Sequence, residues 1–161
     1  MVADGMGCSS MNKSVVLSIN PEWCDLIRSG QKTFEIRKNR PRMPTPFKCY
    51  IYQTGEYVSA YEDSPWAGKY MPGAIVGEFI CDTIDRFAIP YPAYFGEVCD
   101  DVKDILVKAC LPMLRAHDYL GHRDGYAWHI SDLKIYETPK KLEECGLEYA
   151  PMSWRYAEEI A

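Results

Sequence analysis

The stretch LSINPEWCDLIRSGQKTFEIRK, residues 17–38, predicts a strand, a helix and a second strand in direct succession. The β-rich apolar run at 14–19 favours the first strand. Asn20 is a suitable N-cap, Pro21 fits the first turn of a helix, and Gly30 can close its end. One apolar stripe of the helix is formed by Trp23, Leu26 and Ile27. The helix is therefore expected to pack inward on Trp23.

The second strand, KTFEIRK at 32–38, alternates apolar and charged residues. Because successive side chains of a strand point to opposite faces, Phe34 and Ile36 share one face. The other face holds Thr33, Glu35 and Arg37. Lys32 lies at the turn between the helix and this strand, so the charged face next to it is the first candidate site.

Positive charge is concentrated around this strand in an otherwise acidic chain. The protein has 18 Lys and Arg, 23 Asp and Glu, and a formal net charge of −5. Between residues 28 and 48 the one acid is Glu35, and the bases are Arg28, Lys32, Arg37, Lys38, Arg40, Arg42 and Lys48. A local basic patch on an acidic body predicts an anionic partner, such as a phosphate-bearing nucleotide, RNA or DNA. The alternative is a solvated loop whose charges balance acids elsewhere on the surface.

The remaining pattern predicts more strands and a helical insertion. Three prolines at 41–46 predict an irregular loop, and a second, long loop is predicted at 55–73. In the longest predicted strand, Gly73 and Gly77 indicate a bulge or a bend. Strands are predicted at 48–54, 73–84, 126–137 and 153–158, and helices at 98–109 and 112–121.

This order of elements favours an α+β fold that is mainly β, with an early helix and a helical insertion. Many strands of uneven length indicate a partly open β-barrel rather than a doubly wound sheet. A length of 161 residues, 47% of them hydrophobic, predicts one globular domain at 13–161. Residues 1–12 are small and polar without a periodic pattern, which predicts a disordered N-terminal tail.

The sequence predicts a soluble, cytoplasmic protein with no cofactor, no metal and no membrane partner. It shows neither a secretion signal nor an apolar run of the roughly 18 to 20 residues that a membrane span needs. Its seven cysteines are odd in number, widely spaced and without a C-x-x-C pair, which favours reduced thiols buried as small hydrophobes. The oligomeric state is left open.

Aromatic residues make up 13% of the chain and permit stacking on nucleic-acid bases. The aromatic residues on predicted strands are Tyr50, Tyr52, Tyr126 and Trp128. Trp128 shares a face with Tyr126 and Ile130, which favours core packing over ligand contact. His129 points to the opposite face, where it is either a structural histidine or a donor to a base edge or a phosphate.

Four segments of the chain resemble the ASCH domain, a member of the PUA-like superfamily. They are the opening stretch at 17–38, GAIVGEFICDTI at 73–84, GYAWHISDLKIYETPKKLEEC at 125–145 and PMSWRYAEE at 151–159. The similarity is greatest to small stand-alone bacterial and phage-type ASCH proteins. It implies a PUA-like barrel with a cleft beside the first helix and the following strand, and this cleft is expected to hold RNA or a modified nucleobase.

One branch of the family, to which the resemblance is weaker, implies a catalytic alternative. That branch removes the acetyl group from N4-acetylcytidine, using a Lys at the position of Lys32, a Thr at the position of Glu35 and a downstream Glu. Here the Lys is kept and the Thr is replaced by Glu35, with Thr33 as the nearest hydroxyl residue. Glu78 and Glu97 are the candidates for the downstream Glu.

Residues and resemblance together predict that a nucleic acid, RNA above all, or a nucleotide binds in this cleft. Arg37, Lys38 and Arg40 would contact phosphate, and Lys32 and Glu35 would read polar edges of a base. Thr33, Tyr52, Trp128 and His129 complete the predicted ligand-binding residues. The two alternatives are an amidohydrolase, with Lys32 and Glu35 as its catalytic residues, and a ligand-free module that binds a protein partner. A cross-strand pair of Arg37 with Glu78 or Asp82 would need no ligand.

Overall fold

The computed structural model describes residues 13–55, 73–90 and 97–161. The predicted tail at 1–12 and most of the predicted loop at 55–73 lie outside these residues. The assignment of 13–161 to one domain stays a prediction. In the described part, no helix has the length and apolar character that crossing a membrane requires.

The elements follow the order predicted from the sequence, with two further strands. The strands are β1 (Ser14–Ile19), β2 (Phe34–Arg37), β3 (Phe47–Gln53), β4 (Ala74–Cys81), β5 (Ile84–Phe87), β6 (Gly125–His129), β7 (Ser131–Lys140) and β8 (Trp154–Ala157). The helices are α1 (Pro21–Arg28), α2 (Asp100–Lys108) and α3 (Met113–Leu120), with a short 3₁₀ helix at Leu142–Cys145.

The strands form two open sheets, and the predicted α+β fold is confirmed. One sheet has five strands in the order β7-β4-β3-β1-β8, and the other has three in the order β2-β6-β5. β1 and β3 are parallel, and the other pairs are antiparallel. The chain leaves the large sheet after β1, passes through α1 and enters the small sheet at β2. The turn before β2 is thereby placed between the two sheets.

Two long predicted strands are each divided between the sheets, which corrects the predictions at 73–84 and 126–137. The first run breaks at Asp82 and Thr83 into β4 and β5, and the second breaks near Ile130 into β6 and β7. The backbone N–H of His129 donates to the carbonyl of Thr83 at 3.0 Å, so the two breaks lie side by side. In the second run the apolar positions change phase at the break, from Tyr126, Trp128 and Ile130 to Leu133 and Ile135, which is a signal that the prediction of one continuous strand missed.

The predicted bulge at Gly77 is confirmed. The register of β4 with β7 shifts between Ile75 and Gly77. A Cβ atom at Gly77 would lie 2.6 Å from the backbone oxygen of Lys134, so the close approach of the two strands requires glycine.

Helix α1 packs on a face slightly different from the predicted one. Its fully buried residues are Cys24 and Ile27, whereas Trp23 is half-buried beside the core. Pro21 occupies the first helical position as predicted, and Gly30 follows the helix with φ of +77°. Asn20 holds the N-cap position without a side-chain capping bond, since its Oδ1 accepts from Thr54 Oγ1 at 2.9 Å. Trp23 is left facing the space beside the first turn.

Six cysteines lie in the described residues, and all are free thiols. Four are buried, as predicted: Cys24, Cys49, Cys81 and Cys145. Cys110 is half-buried and Cys99 is exposed. Among the described residues no group of three or more potential metal ligands comes together.

Candidate functional site

A pocket of about 610 Å³ opens between the end of β1, the first turn of α1, β2 and α3. Ligand pockets commonly have volumes of roughly 300 to 1,000 Å³. The pocket is lined by five basic and two acidic side chains of the described part. In a chain with a net charge of −5, this excess of positive charge at one concave place attracts anions.

A buried ion triad lies at the pocket floor and consists of Lys32, Glu35 and Arg37. The three residues are only 4%, 7% and 6% exposed, respectively. Lys32 Nζ lies 3.2 Å from Glu35 Oε2, and Arg37 Nη2 lies 2.9 Å from Glu35 Oε1. The charged face predicted for the second strand is therefore present in the structure. It is directed into the protein, however, and the alternative of a solvated loop is wrong for these residues.

Lys32 is fixed by contacts from three directions. Its ammonium group donates to the carbonyl oxygen of Ala109 at 2.8 Å and pairs with Glu35. It also lies 5.1 Å from the centre of the Trp23 ring, within the range of a cation–π contact. These three contacts hold the Lys32 side chain in place at the pocket floor.

Arg37 connects the small sheet to the large one. Its Nη1 donates to the carbonyl and the hydroxyl of Ser153, at 3.2 and 3.1 Å, and its Nη2 donates to the carbonyl of Ser18 at 2.8 Å. The predicted alternative, a cross-strand pair with Glu78 or Asp82, is wrong. Four of the five donors of Arg37 are used by the protein, and Nε has no partner among the described residues.

The Glu35 carboxyl is held in its ionised form. Burial by itself would raise its pKa, but the charges of Lys32 and Arg37 and their hydrogen bonds together lower the pKa below its ordinary value. Each carboxylate oxygen accepts from one cation and can accept one further hydrogen bond. The pocket floor therefore presents a permanent acceptor between two fixed cations.

The pocket rim carries three exposed cations. Lys38 follows β2, Arg115 lies on α3, and Arg123 lies just beyond α3. Sequence reasoning found Lys38 but missed Arg115 and Arg123, because they belong to the helical insertion, more than 70 residues away. The available signal was the helix predicted at 112–121, in which Arg115 and Tyr119 lie four residues apart and therefore on one face.

Five predicted ligand-binding residues do not line this pocket. Thr33 uses its backbone to join Lys108 and Ile130. Trp128 is fully buried in the core, and Tyr52 packs against another core cluster on the large sheet. His129 Nδ1 lies 2.7 Å from Asp82 Oδ1 at the surface. Arg40 is exposed, and its Nε donates to the neighbouring carbonyl of Pro41 at 3.4 Å.

Neither candidate for a downstream catalytic Glu reaches the triad. Glu78 lies on β4, accepts a hydrogen bond from Tyr136 and is 3.8 Å from Lys48. Glu97 is exposed ahead of α2 and does not line the pocket. Among the residues that the structure describes, the acids that line the pocket are Glu22 and Glu35.

Comparisons with known proteins agree with this architecture. The family model of the ASCH domain matches residues 17–59, which include the whole ion triad. An ASCH protein from Zymomonas mobilis has a crystal structure similar to this chain, with a TM-score of 0.62 at 20% identity, covering 89% of this chain and 86% of that one. A serine-to-alanine variant of the same protein gives a TM-score of 0.59 at 20% identity, with 91% and 89% covered. No curated protein sequence matches the chain.

Proposed function

We propose that this chain, which resembles the ASCH domain over residues 17–59 and shares its fold with an ASCH protein of known structure, binds RNA or a nucleotide in the pocket above the ion triad. The resemblance to the ASCH domain implies a PUA-like fold and RNA binding, which supports the proposal. The proposal assigns the phosphate to the exposed cations of the rim and the polar edge of a base to the floor. A half-buried tryptophan and a tyrosine, Trp23 and Tyr119, line the walls between them and offer apolar faces to a base.

One observation carries the proposal: an ionised, buried carboxylate faces a pocket with a cationic rim. A simple anion would satisfy the rim but would be repelled by Glu35. A ligand that combines an anionic group with a hydrogen-bond donor fits both parts, and a nucleotide has a phosphate and a base with donor groups. Glu35 would accept from the base, and Lys32 would donate to it.

The residues assigned to phosphate contact differ from those predicted from the sequence. Arg37 is committed to Glu35, Ser18 and Ser153, and Arg40 lies outside the pocket lining. We therefore assign phosphate contact to Lys38 and Arg123, which are both exposed at the rim. Arg37 remains a floor residue, and its Nε is buried without a partner among the described residues.

Binding of single-stranded RNA is expected to weaken with salt, because each phosphate contact releases counterions. Each contact contributes about −0.7 to the slope of log K against log salt concentration. The double variant Lys38→Gln with Arg123→Gln should therefore reduce the slope by about 1.4 and lower the affinity at low salt. Fluorescence anisotropy with a labelled oligonucleotide across a salt series measures both quantities.

A matched control removes two positive charges elsewhere. Lys134 and Arg155 are exposed and do not line the pocket. Their double Gln variant should bind RNA with nearly the wild-type slope. If both double variants lose the same affinity, the attraction is a property of the whole surface and not of this rim. A wild-type protein that binds neither RNA nor nucleotides would favour the protein-interaction alternative.

The amidohydrolase alternative predicts release of acetate from N4-acetylcytidine. We expect no measurable release, because Glu35 stands where the hydrolase branch has a Thr, and Lys32 Nζ is already bound to Glu35 and to the Ala109 carbonyl. Acetate is measured with an enzyme-coupled assay at substrate saturation. Turnover that falls by about 10² to 10⁴ in Lys32→Met would instead establish a catalytic lysine, since this is the usual contribution of a general base.

A further inference from the structure

Both aromatic rings in the pocket wall are covered by exposed cations. The Arg115 guanidinium lies 5.2 Å from the centre of the Trp23 ring, and Lys38 Nζ lies 4.8 Å from the centre of the Tyr119 ring. All four residues line the pocket. The surfaces on which a base would stack are thus in contact with the charges that would bind its phosphate.

Among the described residues, the contacts that hold Arg115 in this position are weak. Its side chain is 59% exposed, and its Nη2 lies 3.5 Å from Oε1 of Glu22, which is 42% exposed. Exposed ion pairs at this distance contribute little to stability. Lys32, the other cation near the Trp23 ring, is buried and bound to both Glu35 and Ala109. Trp23 therefore has one fixed cation and one that can move at small cost.

We propose that Arg115 makes the pocket selective for phosphorylated nucleotides over unphosphorylated nucleosides. In this structure Arg115 covers part of Trp23. The phosphate of a nucleotide binds the Arg115 guanidinium and draws it away from Trp23. The base then stacks on the uncovered ring. A nucleoside must displace Arg115 without offering a replacement partner. This inference rests on the proposed function, and it adds the class of ligand and the residue that selects it.

The proposal predicts opposite effects of one substitution on two ligands. In Arg115→Gln the base meets an uncovered ring, so nucleoside affinity should rise by about 3- to 10-fold. The same change removes a phosphate contact, so the affinity for the matching 5′-monophosphate should fall by roughly 10-fold. Isothermal titration calorimetry with the four ribonucleosides and their 5′-monophosphates, on the full chain, measures both. Lys134→Gln, which removes a cation over Tyr136 outside the pocket, is the matched control and should change neither.

A second measurement tests the covering of Trp23 without any ligand. Arg115→Gln should increase quenching of Trp23 fluorescence by acrylamide, with the Trp23→Phe protein used to subtract the other tryptophans. Unchanged quenching would overturn the inference, and so would a loss of affinity for nucleoside and nucleotide by the same factor. If the wild type binds nucleotides but this sign reversal is absent, the inference alone fails. If the wild type binds neither ligand, the proposed function fails together with it.

Discussion

Glu35→Gln is expected to lower the free energy of unfolding by about 3 to 5 kcal/mol, as is typical when one member of a buried ion pair is removed. The variant keeps the shape of the side chain but leaves Lys32 and Arg37 buried without a counter-charge. For a domain of this size the loss corresponds to a decrease in Tm of about 6 to 20 °C. Thermal melts by circular dichroism measure it. Glu137→Gln, a change at an exposed strand position, is the control and should have little effect.

The destabilisation should depend on pH with a definite sign. The pKa of Glu35 is lowered in the native state, so the folded protein binds fewer protons there than the unfolded chain. The stabilisation is therefore complete above the ordinary pKa of 4.5 and is lost as the pH falls through the lower native value. The Tm difference between wild type and Glu35→Gln should be largest near neutral pH and narrow below about pH 4.5. A difference that is constant down to pH 3 would contradict the role of an ionised Glu35.

Arg37→Ala should cost a similar amount, about 3 to 5 kcal/mol, because Glu35 loses a cation and the carbonyls of Ser18 and Ser153 lose their donor. Arg37→Lys should retain only part of the stability that Arg37→Ala loses. A lysine keeps the charge but lacks the planar fork that reaches both serines and Glu35 together. Urea unfolding of the three proteins gives the free energies.

The neighbouring residue supplies the control for Arg37. Lys38 is exposed, and Lys38→Ala should change stability by no more than about 0.5 kcal/mol. If Arg37→Ala lowers the free energy of unfolding as little as Lys38→Ala does, then Arg37 does not connect the two sheets in solution. The sequence-based prediction that Arg37 contacts phosphate would then have to be considered again.

The local part of this site was predictable from sequence, and the long-range part was not. Alternation along β2 correctly placed Glu35 and Arg37 on one face, and Asn20, Pro21 and Gly30 marked the limits of α1. The same alternation does not show that this face is buried. Burial depends on Ser153 and Ala109, which meet β2 and its preceding turn only after residues far along the chain have folded.

The clustering of basic residues in the sequence indicated where the candidate site lies, but it did not show which of these residues would be free to contact a ligand. The seven bases around Glu35 suggested one anion-binding surface, yet Arg37 is taken up by the protein and Arg40 lies outside the pocket lining. The rim is completed by Arg115 and Arg123, which in sequence belong to a separate helical pattern. The basic cluster around Glu35, which is defined by proximity in the sequence, therefore includes only part of the site. The other part comes from distant residues of the chain.

Hydrogen bonds join the end of α2 to the turn before β2, and they connect the pocket to the helical insertion. Thr33 N–H donates to the carbonyl of Lys108 at 2.8 Å, and Lys32 Nζ donates to that of Ala109 at the same distance. If α2 separates from the turn, the buried ammonium group loses an acceptor that the remaining floor does not replace. The insertion and the floor should thus open as one cooperative unit, with correlated protection of their amides from hydrogen exchange. A ligand held between them would slow exchange in both, even at amides it never touches.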